Sequence, residues 1–304
     1  MKSIFSFALL LAAPFAMAHT AESLQAIVDR AVAETRAEFT APELQADQLA
    51  VTVIDLRGTE PVRAHSRGDA RHYPASVIKL FYLAYAQHLM ETGQLADTPE
   101  LQRALCDMIV DSANDATATV VDYVTGTTAG PELPPAELAA WHERRMAVTR
   151  WFETQGYRDV LAVRKTWAEG PYGREKQDAV VNLPARNFLS TNDTARLLLE
   201  IVQGRCVSPE RSARMLALLK RDPFTPKEDA DSQDTAFTAA ALSPGMKLWS
   251  KAGWTSWTRH DAALIELPSG GRVIVVVFTE SRDHANNRKI IPAVVRRILA
   301  NLPA

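Results

Sequence analysis

The sequence lacks the patterns that identify a metalloprotein, a nucleic-acid-binding protein or a membrane-spanning protein. Its seven histidines and two cysteines form no His-Glu-x-x-His motif and no Cys/His cluster, so we expect no metal site. The formal net charge of −2 offers no basic surface for nucleic acid. No apolar run is long enough to cross a bilayer. These absences favour a water-soluble globular protein without a nucleic-acid partner.

The first residues match a secretory signal peptide. Met1-Lys2-Ser3 supplies a short positive segment, residues 4–15 are apolar, and Ala16-Met17-Ala18 is a small-x-small cleavage site. Cleavage after Ala18 removes the positive charge of Lys2 and takes the formal charge from −2 to −3. No cysteine stands at the cleavage point, as a lipoprotein would require. We therefore expect a periplasmic or secreted protein whose mature chain, residues 19–304, forms a single catalytic domain.

The two cysteines, Cys106 and Cys206, are the only thiols of the chain. An oxidising compartment would allow them to form a disulfide. Both lie in helix-like apolar stretches, which favours two separate buried thiols. The sequence leaves both possibilities open.

Helical and strand patterns separate along the chain. Amphipathic spacing predicts a first helix over residues 21–39, and an apolar stretch predicts a strand over 49–56, closed by a turn at Arg57-Gly58. Helical patterns then dominate residues 97–219, with interruptions at 125–135 and 168–187. The stretch 130–145 reads as an insertion.

The C-terminal part changes to strand patterns. Three strands are predicted at residues 246–251, 261–267 and 272–280, followed by a helix over 286–299. Ser269-Gly270-Gly271 joins the last two strands as an antiparallel hairpin. Both chain ends therefore build an α/β (α+β) lobe, an antiparallel sheet flanked by helices, from about 19–75 and 222–304. An all-helical lobe, about 76–221, is inserted between them.

Ser76 and Lys79 form a Ser-x-x-Lys pair at the start of a long apolar helix. Three residues are close to one helical turn, so both side chains should lie on one face. A buried lysine loses part of its affinity for a proton and can act as the base that a serine nucleophile needs. Backbone N–H groups at the helix start could help to hold an oxyanion. Taken alone, so short a pair favours an ordinary first-turn serine and a lysine that reaches solvent, so other motifs of the chain must decide.

Two further short motifs follow in the chain. Ser112-Ala113-Asn114 offers a hydroxyl that can relay a proton and an amide that can bind a substrate. Lys251, at the end of a predicted strand, can bind a carboxylate, and the small Ala252-Gly253 lets a substrate approach the strand. The N–H of Trp254 is a candidate second oxyanion donor. Ser-x-Asn also occurs at Ser190–Asn192, where it opens a helix and reads as a cap.

Together these residues resemble the penicillin-recognising serine enzymes, and within them the class A β-lactamase family. Ser76-x-x-Lys79, Ser112-x-Asn114 and Lys251-x-Gly253 match its three active-site motifs in order, and residues 186–221 are similar to the same region of the family. The resemblance implies the β-lactamase/transpeptidase-like fold over nearly the whole mature chain. It also implies a monomer without cofactor that acts on a β-lactam or a peptidoglycan-like small molecule.

The resemblance also implies roles for these residues. Ser76 would attack the lactam carbonyl, Lys79 would be a base, and Ser112 would pass a proton to the departing nitrogen. Lys251 would bind the substrate carboxylate, with Asn114, Gly253 and Trp254 beside it.

The chain departs from the class A pattern in two places. It has no Glu-x-x-Leu-Asn string, the source of the deacylating glutamate. Glu169 is the nearer substitute and Glu175 the second, although either can equally be a solvated loop carboxylate. The second departure is Ala252, where the family usually has Thr or Ser. Arg259 and His260 are candidates for a positive group on the following strand, but a surface position is the simpler interpretation of both.

Three hypotheses follow. The first is a class A type β-lactamase, a serine hydrolase that confers antibiotic resistance. The second is a D-alanyl-D-alanine peptidase or esterase on the same fold, and the third is a non-catalytic periplasmic binding module. A Ser-His-Asp mechanism is disfavoured because the sequence has no Gly-x-Ser-x-Gly motif. Retention of all the motif residues favours an acyl-enzyme over a binding module.

Overall fold

A computed structural model describes residues 21–166, 170–182 and 186–302 of the chain. The predicted signal peptide lies outside the described residues. The helices are α1 (Ala21–Glu38), α2 (Lys79–Glu91), α3 (Pro99–Ile109), α4 (Asn114–Thr125), α5 (Pro135–Arg145), α6 (Ala147–Thr154), α7 (Gly173–Val181), α8 (Thr191–Val202), α9 (Pro209–Leu219) and α10 (Ile290–Asn301). The strands are β1 (Leu49–Asp55), β2 (Val62–Ser66), β3 (Val160–Leu161), β4 (Phe188–Leu189), β5 (Lys220–Arg221), β6 (Lys247–Trp254), β7 (Thr258–Glu266) and β8 (Arg272–Glu280). Short 3₁₀ turns occupy Ala46–Gln48, Ala75–Ile78 and Ala239–Ala241.

Six strands form one antiparallel sheet in the order β2-β1-β8-β7-β6-β5. Strands β7 and β8 form the predicted hairpin, whose turn is closed by the Leu267 N–H donating to the Gly271 carbonyl at 2.7 Å. Strands β3 and β4 pair separately within the helical part of the chain. The predicted antiparallel sheet with flanking helices and an inserted helical region is confirmed, whereas the residue limits of the two lobes stay a prediction.

Helices cover both faces of this sheet, which explains why its central strands are almost continuously apolar. Val275 packs on the side of α1 and α10, and its neighbour Val276 packs on the side of α2 and α8. Successive side chains of a strand point to opposite faces, so each strand contributes to both cores. Each large apolar side chain that is fully buried stabilises the fold by about 1.5–3 kcal/mol.

Local capping sets the start of several helices. The hydroxyl of Ser190 accepts the Asp193 N–H at 3.1 Å at the start of α8, which confirms the predicted capping role of this serine. Thr98 and Ser208 cap α3 and α9 in the same way, each followed by a proline at the first helical position. Such caps satisfy backbone N–H groups that have no partner within the helix.

Several local features differ from the sequence expectations. Helix α7 lies within the predicted interruption at 168–187. Helix α5 lies in the stretch 130–145, whose interpretation as an insertion stays a prediction. The edge strands β2 and β5 were not predicted, because both are short and polar. The two cysteines are free thiols, as the sequence favours. Only Cys206 is buried, however, and Cys106 is partly exposed.

Candidate active site

Ser76 lies in the 3₁₀ turn Ala75–Ile78 that leads directly into α2, so the helix itself begins at Lys79. The preceding Ala75 has a left-handed backbone with φ of 45°. That conformation is unfavourable for a residue with a side chain, and packing must hold it in place. Strand β6 supplies this packing: a Cβ atom on Gly253 would lie 2.7 Å from the Ser76 nitrogen. Glycine is therefore required where the strand meets the serine turn.

Two buried histidines fix the segment before Ser76. Nδ1 of His260 accepts the Thr279 N–H at 3.0 Å, so its Nε2–H donates to the Tyr73 carbonyl at 2.9 Å. Burial lowers the pKa of His260 to about 4, which keeps the ring neutral. His72 lies 3.1 Å from Glu280, measured from Nδ1 to Oε2. Both interpretations of His260, a positive group for the substrate and a surface residue, are therefore wrong, because the side chain is buried and uncharged.

Lys79 is completely buried at the start of α2. Its Nζ donates to the carbonyl of Ser112 at 2.5 Å, to the Ser112 hydroxyl at 3.2 Å and to Oδ1 of Asn114 at 2.9 Å. It forms no ion pair with any carboxylate that the structure describes. Desolvation by burial lowers the pKa of Lys79 to about 7. At neutral pH a large share of Lys79 can therefore accept a proton.

Lys251, on β6, reaches the same hydroxyl from the sheet. Its Nζ donates to Ser112 Oγ at 2.9 Å, to Oε1 of Gln233 at 2.5 Å and to the Ala252 carbonyl at 2.8 Å. Desolvation, followed by repulsion from Lys79, holds its pKa well below the ordinary value of a lysine. Two lysines from different elements thus meet at one serine.

Ser112 occupies the loop between α3 and α4 with a left-handed φ of 57°. Its hydroxyl oxygen is within hydrogen-bonding distance of both Lys79 and Lys251. When both amines donate, the two lone pairs of the oxygen are used and its own hydrogen is free to point elsewhere. Such a hydroxyl can deliver a proton to a departing atom and recover one from a neighbouring lysine that is in its protonated form.

Gln233 is a site residue that the sequence analysis missed. Its Oε1 accepts a hydrogen bond from Lys251 and a second one from the Ala252 N–H, at 3.0 Å. Its Nε2 donates to the Val110 carbonyl at 2.9 Å and to the Ile109 carbonyl at 3.3 Å. The side chain therefore ties the end of α3 to β6. No motif marks it, because its four contacts are all to residues distant in the sequence.

Arg221, on β5, was missed in the same way. It is buried and donates to the carbonyls of Ser250 and Ile109, each at 2.9 Å. Like Gln233, it joins the end of α3 to the strand that carries Lys251. Its charge also lowers the pKa of Lys251.

Two tryptophans, one at the end of β6 and one in the turn that follows it, are partly exposed. Trp254 is 36% exposed and packs against Phe237 with ring centroids 5.4 Å apart. Trp257, in the turn to β7, is 42% exposed. Ala252, within β6, is buried and offers no hydroxyl to a ligand.

Arg259 does not replace that hydroxyl, and its expected surface position is wrong. The side chain is buried over the Phe237 ring, 3.9 Å from its centroid, and donates to Asp231 at 2.8 Å. Arg288 donates to the same carboxylate, and the two arginines hold the pKa of Asp231 down, at about 2. Arg259 is therefore already neutralised.

The predicted carboxylates have different outcomes. Glu169 lies outside the described residues. Glu175 is buried in α7, where Arg145 donates to both of its oxygens, at 2.7 and 3.2 Å, and Lys165 lies 3.4 Å away. The alternative of a solvated loop carboxylate at Glu175 is therefore wrong. A carboxylate held by two cations is also a poor general base.

Other kinds of site find no support in the described part of the chain. Among residues 21–166, 170–182 and 186–302, no group of three or more His, Cys, Asp or Glu side chains could hold a metal ion. In the same ranges, no helix is both long and apolar enough to cross a membrane.

A family model described as "Beta-lactamase enzyme family" matches residues 97–302, more than half of the chain. The chain belongs to the β-lactamase enzyme family. No curated protein sequence matches the chain. The predicted resemblance is confirmed, with the chain as a divergent member related to the class A enzymes.

Solved structures support the same fold. A β-lactamase from Sphaerobacter thermophilus superposes with a TM-score of 0.64 at 21% identity, covering 92% of this chain and 99% of that one. A variant of the reconstructed class A β-lactamase of the last common ancestor of Gram-negative bacteria gives a TM-score of 0.62 at 18% identity, covering 90% and 97%. A PBP-A mutant, described as an acyl-enzyme complex with penicillin G, gives 0.61 at 17% identity, covering 90% and 96%. The β-lactamase family and this fold support a serine β-lactamase-like hydrolase.

Proposed function

We propose that this protein is a serine hydrolase of the class A β-lactamase type (EC 3.5.2.6), which opens a β-lactam ring through an acyl-enzyme on Ser76. The observation that carries the proposal is the state of Lys79, a fully buried amine with a pKa near 7, one helical turn from Ser76 and hydrogen-bonded to Ser112 and Asn114. A neutral buried amine is the base that a serine nucleophile needs.

In the proposed acylation, neutral Lys79 accepts the hydroxyl proton as Ser76 Oγ bonds to the lactam carbonyl carbon. The backbone N–H groups of Ser76 and Trp254 stabilise the resulting oxyanion. Collapse of this intermediate breaks the bond between carbonyl carbon and ring nitrogen. Ser112 gives its proton to that nitrogen and regains one from Lys79.

Substrate binding in this proposal uses the other motif residues. Asn114 binds the amide of the acyl side chain, and Gly253 leaves room for the substrate beside β6. Lys251 binds the substrate carboxylate, which stabilises its protonated form and replaces one of the hydrogen bonds that it donates to Gln233, Ala252 and Ser112.

Hydrolysis of the acyl-enzyme requires a general base, and we assign it to Glu169. Glu175 is unsuited because Arg145 and Lys165 hold it. Glu169→Gln is expected to trap an acyl-enzyme that the wild type turns over, as measured by intact mass. A Glu169→Gln variant with wild-type turnover would remove this assignment.

A second candidate function is a D-alanyl-D-alanine peptidase or esterase that reacts with β-lactams without turning them over. Ala252, which lacks the hydroxyl usual in the family, favours this second function. The fold shared with a PBP-A mutant, described as a penicillin G acyl-enzyme complex, also favours it. A non-catalytic binding module is less well supported, because two buried lysines without paired carboxylates cost folding energy that binding alone does not require.

The deciding experiment is intact-protein mass spectrometry over time with a penicillin and then a cephalosporin, alongside ring opening in solution. A transient adduct with many turnovers supports the β-lactamase, and a persistent stoichiometric adduct supports the second candidate. Ser76→Ala is the control and is expected to abolish the adduct. No adduct on the wild type would overturn both acyl-enzyme proposals.

We also propose that the protein is exported by cleavage after Ala18 and works as a periplasmic or secreted monomer. Turnover there would contribute to antibiotic resistance. The mass of the mature protein from an exporting host tests the cleavage site, and sedimentation analysis tests the monomer.

A further inference from the structure

An exposed tryptophan in the β6–β7 turn is flanked by two arginines. The guanidinium carbon of Arg282 lies 4.2 Å from the ring centroid of Trp257, and that of Arg186 lies 5.8 Å from it. All three side chains are exposed. We call these three residues the Trp257 patch.

Neither arginine of the Trp257 patch forms an ion pair with a carboxylate that the structure describes. The nearest acidic residue of β8, Glu280, instead accepts from His72 and from the Tyr73 N–H. By contrast, Arg259 and Arg288 share the carboxylate of Asp231. A guanidinium that stacks on an indole keeps its N–H groups available at its edge, where they can bind a carboxylate.

The Trp257 patch lies close to the nucleophile turn but not against it. Gly253, which contacts the Ser76 nitrogen, is paired with His260 across the β6–β7 hairpin. Trp257 is three positions before His260 in the chain, which at the rise of a strand places it about 10 Å further along. Burial raises the pKa of the Tyr73 phenol, and the nearby charge of Arg186 offsets part of that rise, which places Arg186 close to the segment before Ser76.

This distance decides which part of a substrate can reach the patch. The carboxylate common to β-lactams is separated from the reactive carbonyl carbon only by the ring nitrogen and one carbon, so it must stay beside Ser76. An anionic group at the end of an acyl side chain can extend much further. It would find there two arginines that form no ion pair with any carboxylate of residues 21–166, 170–182 and 186–302.

We propose that the Trp257 patch is a specificity site for substrates whose acyl side chain ends in a carboxylate. The proposal rests on the proposed acyl-enzyme function of Ser76. The substrates are then acyl compounds with a second negative charge far from the reactive carbonyl. Arg186 and Arg282 bind that second charge.

The test compares two penicillins that differ in a single charge. One carries a glutaryl side chain, and the other carries the same chain with its terminal carboxylate converted to an amide. The readout is the second-order rate constant for acylation of Ser76, followed by intact mass, in the wild type and in Arg186→Gln, Arg282→Gln and the double variant. The ratio of the two rate constants is compared, because a folding defect lowers both together.

The wild type is expected to prefer the carboxylate, and each substitution is expected to reduce the preference about two- to fivefold, as for exposed ion pairs. The double variant should lose the preference, and the wild-type preference should also fall as salt is raised. Arg63→Gln is the matched control, since Arg63 is exposed on the distant edge strand β2. It is expected to keep the wild-type ratio.

Equal ratios in the wild type and the double variant would overturn the specificity site, even if both penicillins acylate Ser76. If Arg63→Gln reduced the preference for the carboxylate penicillin as much as the patch variants do, the specificity site would also be overturned. The preference would then depend only on the net charge of the protein. Absence of acylation by either penicillin would instead overturn the proposed function on which the site depends.

Discussion

Two clusters of buried cations in this protein differ in the groups that surround them. In the helical region, Arg145 and Lys165 face two carboxylates, Glu175 and Asp122, at distances of 2.7 to 3.5 Å. At the candidate active site, Lys79 and Lys251 share a neutral hydroxyl and meet carbonyl and amide oxygens instead. Neither of these two lysines has an ion pair within the described ranges.

The comparison shows that the role of a buried cation depends on whether carboxylates lie beside it. A buried cation beside carboxylates keeps its charge and links the elements that carry them. A buried cation without them is stable only to the extent that it gives up its proton, and the lowered pKa values of both site lysines follow from that. The first cluster is suited to stability and the second to proton transfer.

The largest effect is expected from Lys79→Met, which removes the base and keeps the volume. Acylation by a penicillin should fall about 10²- to 10⁴-fold. The free energy of unfolding at pH 6 should change by no more than about 1 kcal/mol, since loss of an unpaired charge offsets the lost hydrogen bonds. Acylation rates test the first expectation, and urea titrations measure the free energy of unfolding. A variant that unfolds readily would contradict the comparison.

Glu175→Ala is the opposite experiment, because it leaves Arg145 and Lys165 with an unpaired charge. We expect a loss of about 3–5 kcal/mol in the free energy of unfolding, with acylation retained by the folded fraction. Glu143→Ala is the control, since Glu143 and Arg150 form an exposed pair worth at most about 1 kcal/mol. Stability of Glu175→Ala equal to that of the control would show that the cluster is not structural.

The pH dependence sharpens the comparison further. Acylation should rise about tenfold per pH unit up to pH 7 and level off above it, as Lys79 loses its proton. The unfolded chain, in which a lysine has its usual pKa of about 10.4, binds more protons than the folded chain above pH 7. Stability should therefore increase between about pH 7 and 10. In Lys79→Met that increase should shrink, and an unchanged slope would contradict the lowered pKa.

The smallest effect is expected at Ser190, in the second of the two Ser-x-Asn sequences. Ser190→Ala removes a helix cap and should cost about 1 kcal/mol of stability without changing the acylation rate constant. Ser112→Ala removes the hydroxyl shared by the two lysines and should slow acylation strongly. Thermal denaturation and acylation rates distinguish them. Slow acylation in Ser190→Ala at full stability would mean that the motif was assigned to the wrong copy.

Much of the fold could be predicted from local pattern. The apolar run of β8 and the Ser269–Gly271 turn predicted a hairpin, and Ser190 predicted a helix start, because strand burial, turn geometry and capping each depend on neighbouring residues. The short polar strands β2 and β5 could not be predicted in this way. Their pairing depends on the strands beside them.

In the candidate site, too, some features follow from the local sequence and others only from the tertiary structure. The sequence by itself determined which residue types were available, namely Ser76 and Lys79 one helical turn apart and the small Gly253 beside a lysine. Only the tertiary structure decided that Lys251 meets Ser112 across 139 residues, and that Gln233 joins them. It also decided that Arg259 and Glu175 are neutralised by ion pairs. Burial and charge pairing are properties of residues brought together from distant parts of the chain, and they decide which side chains are free to react.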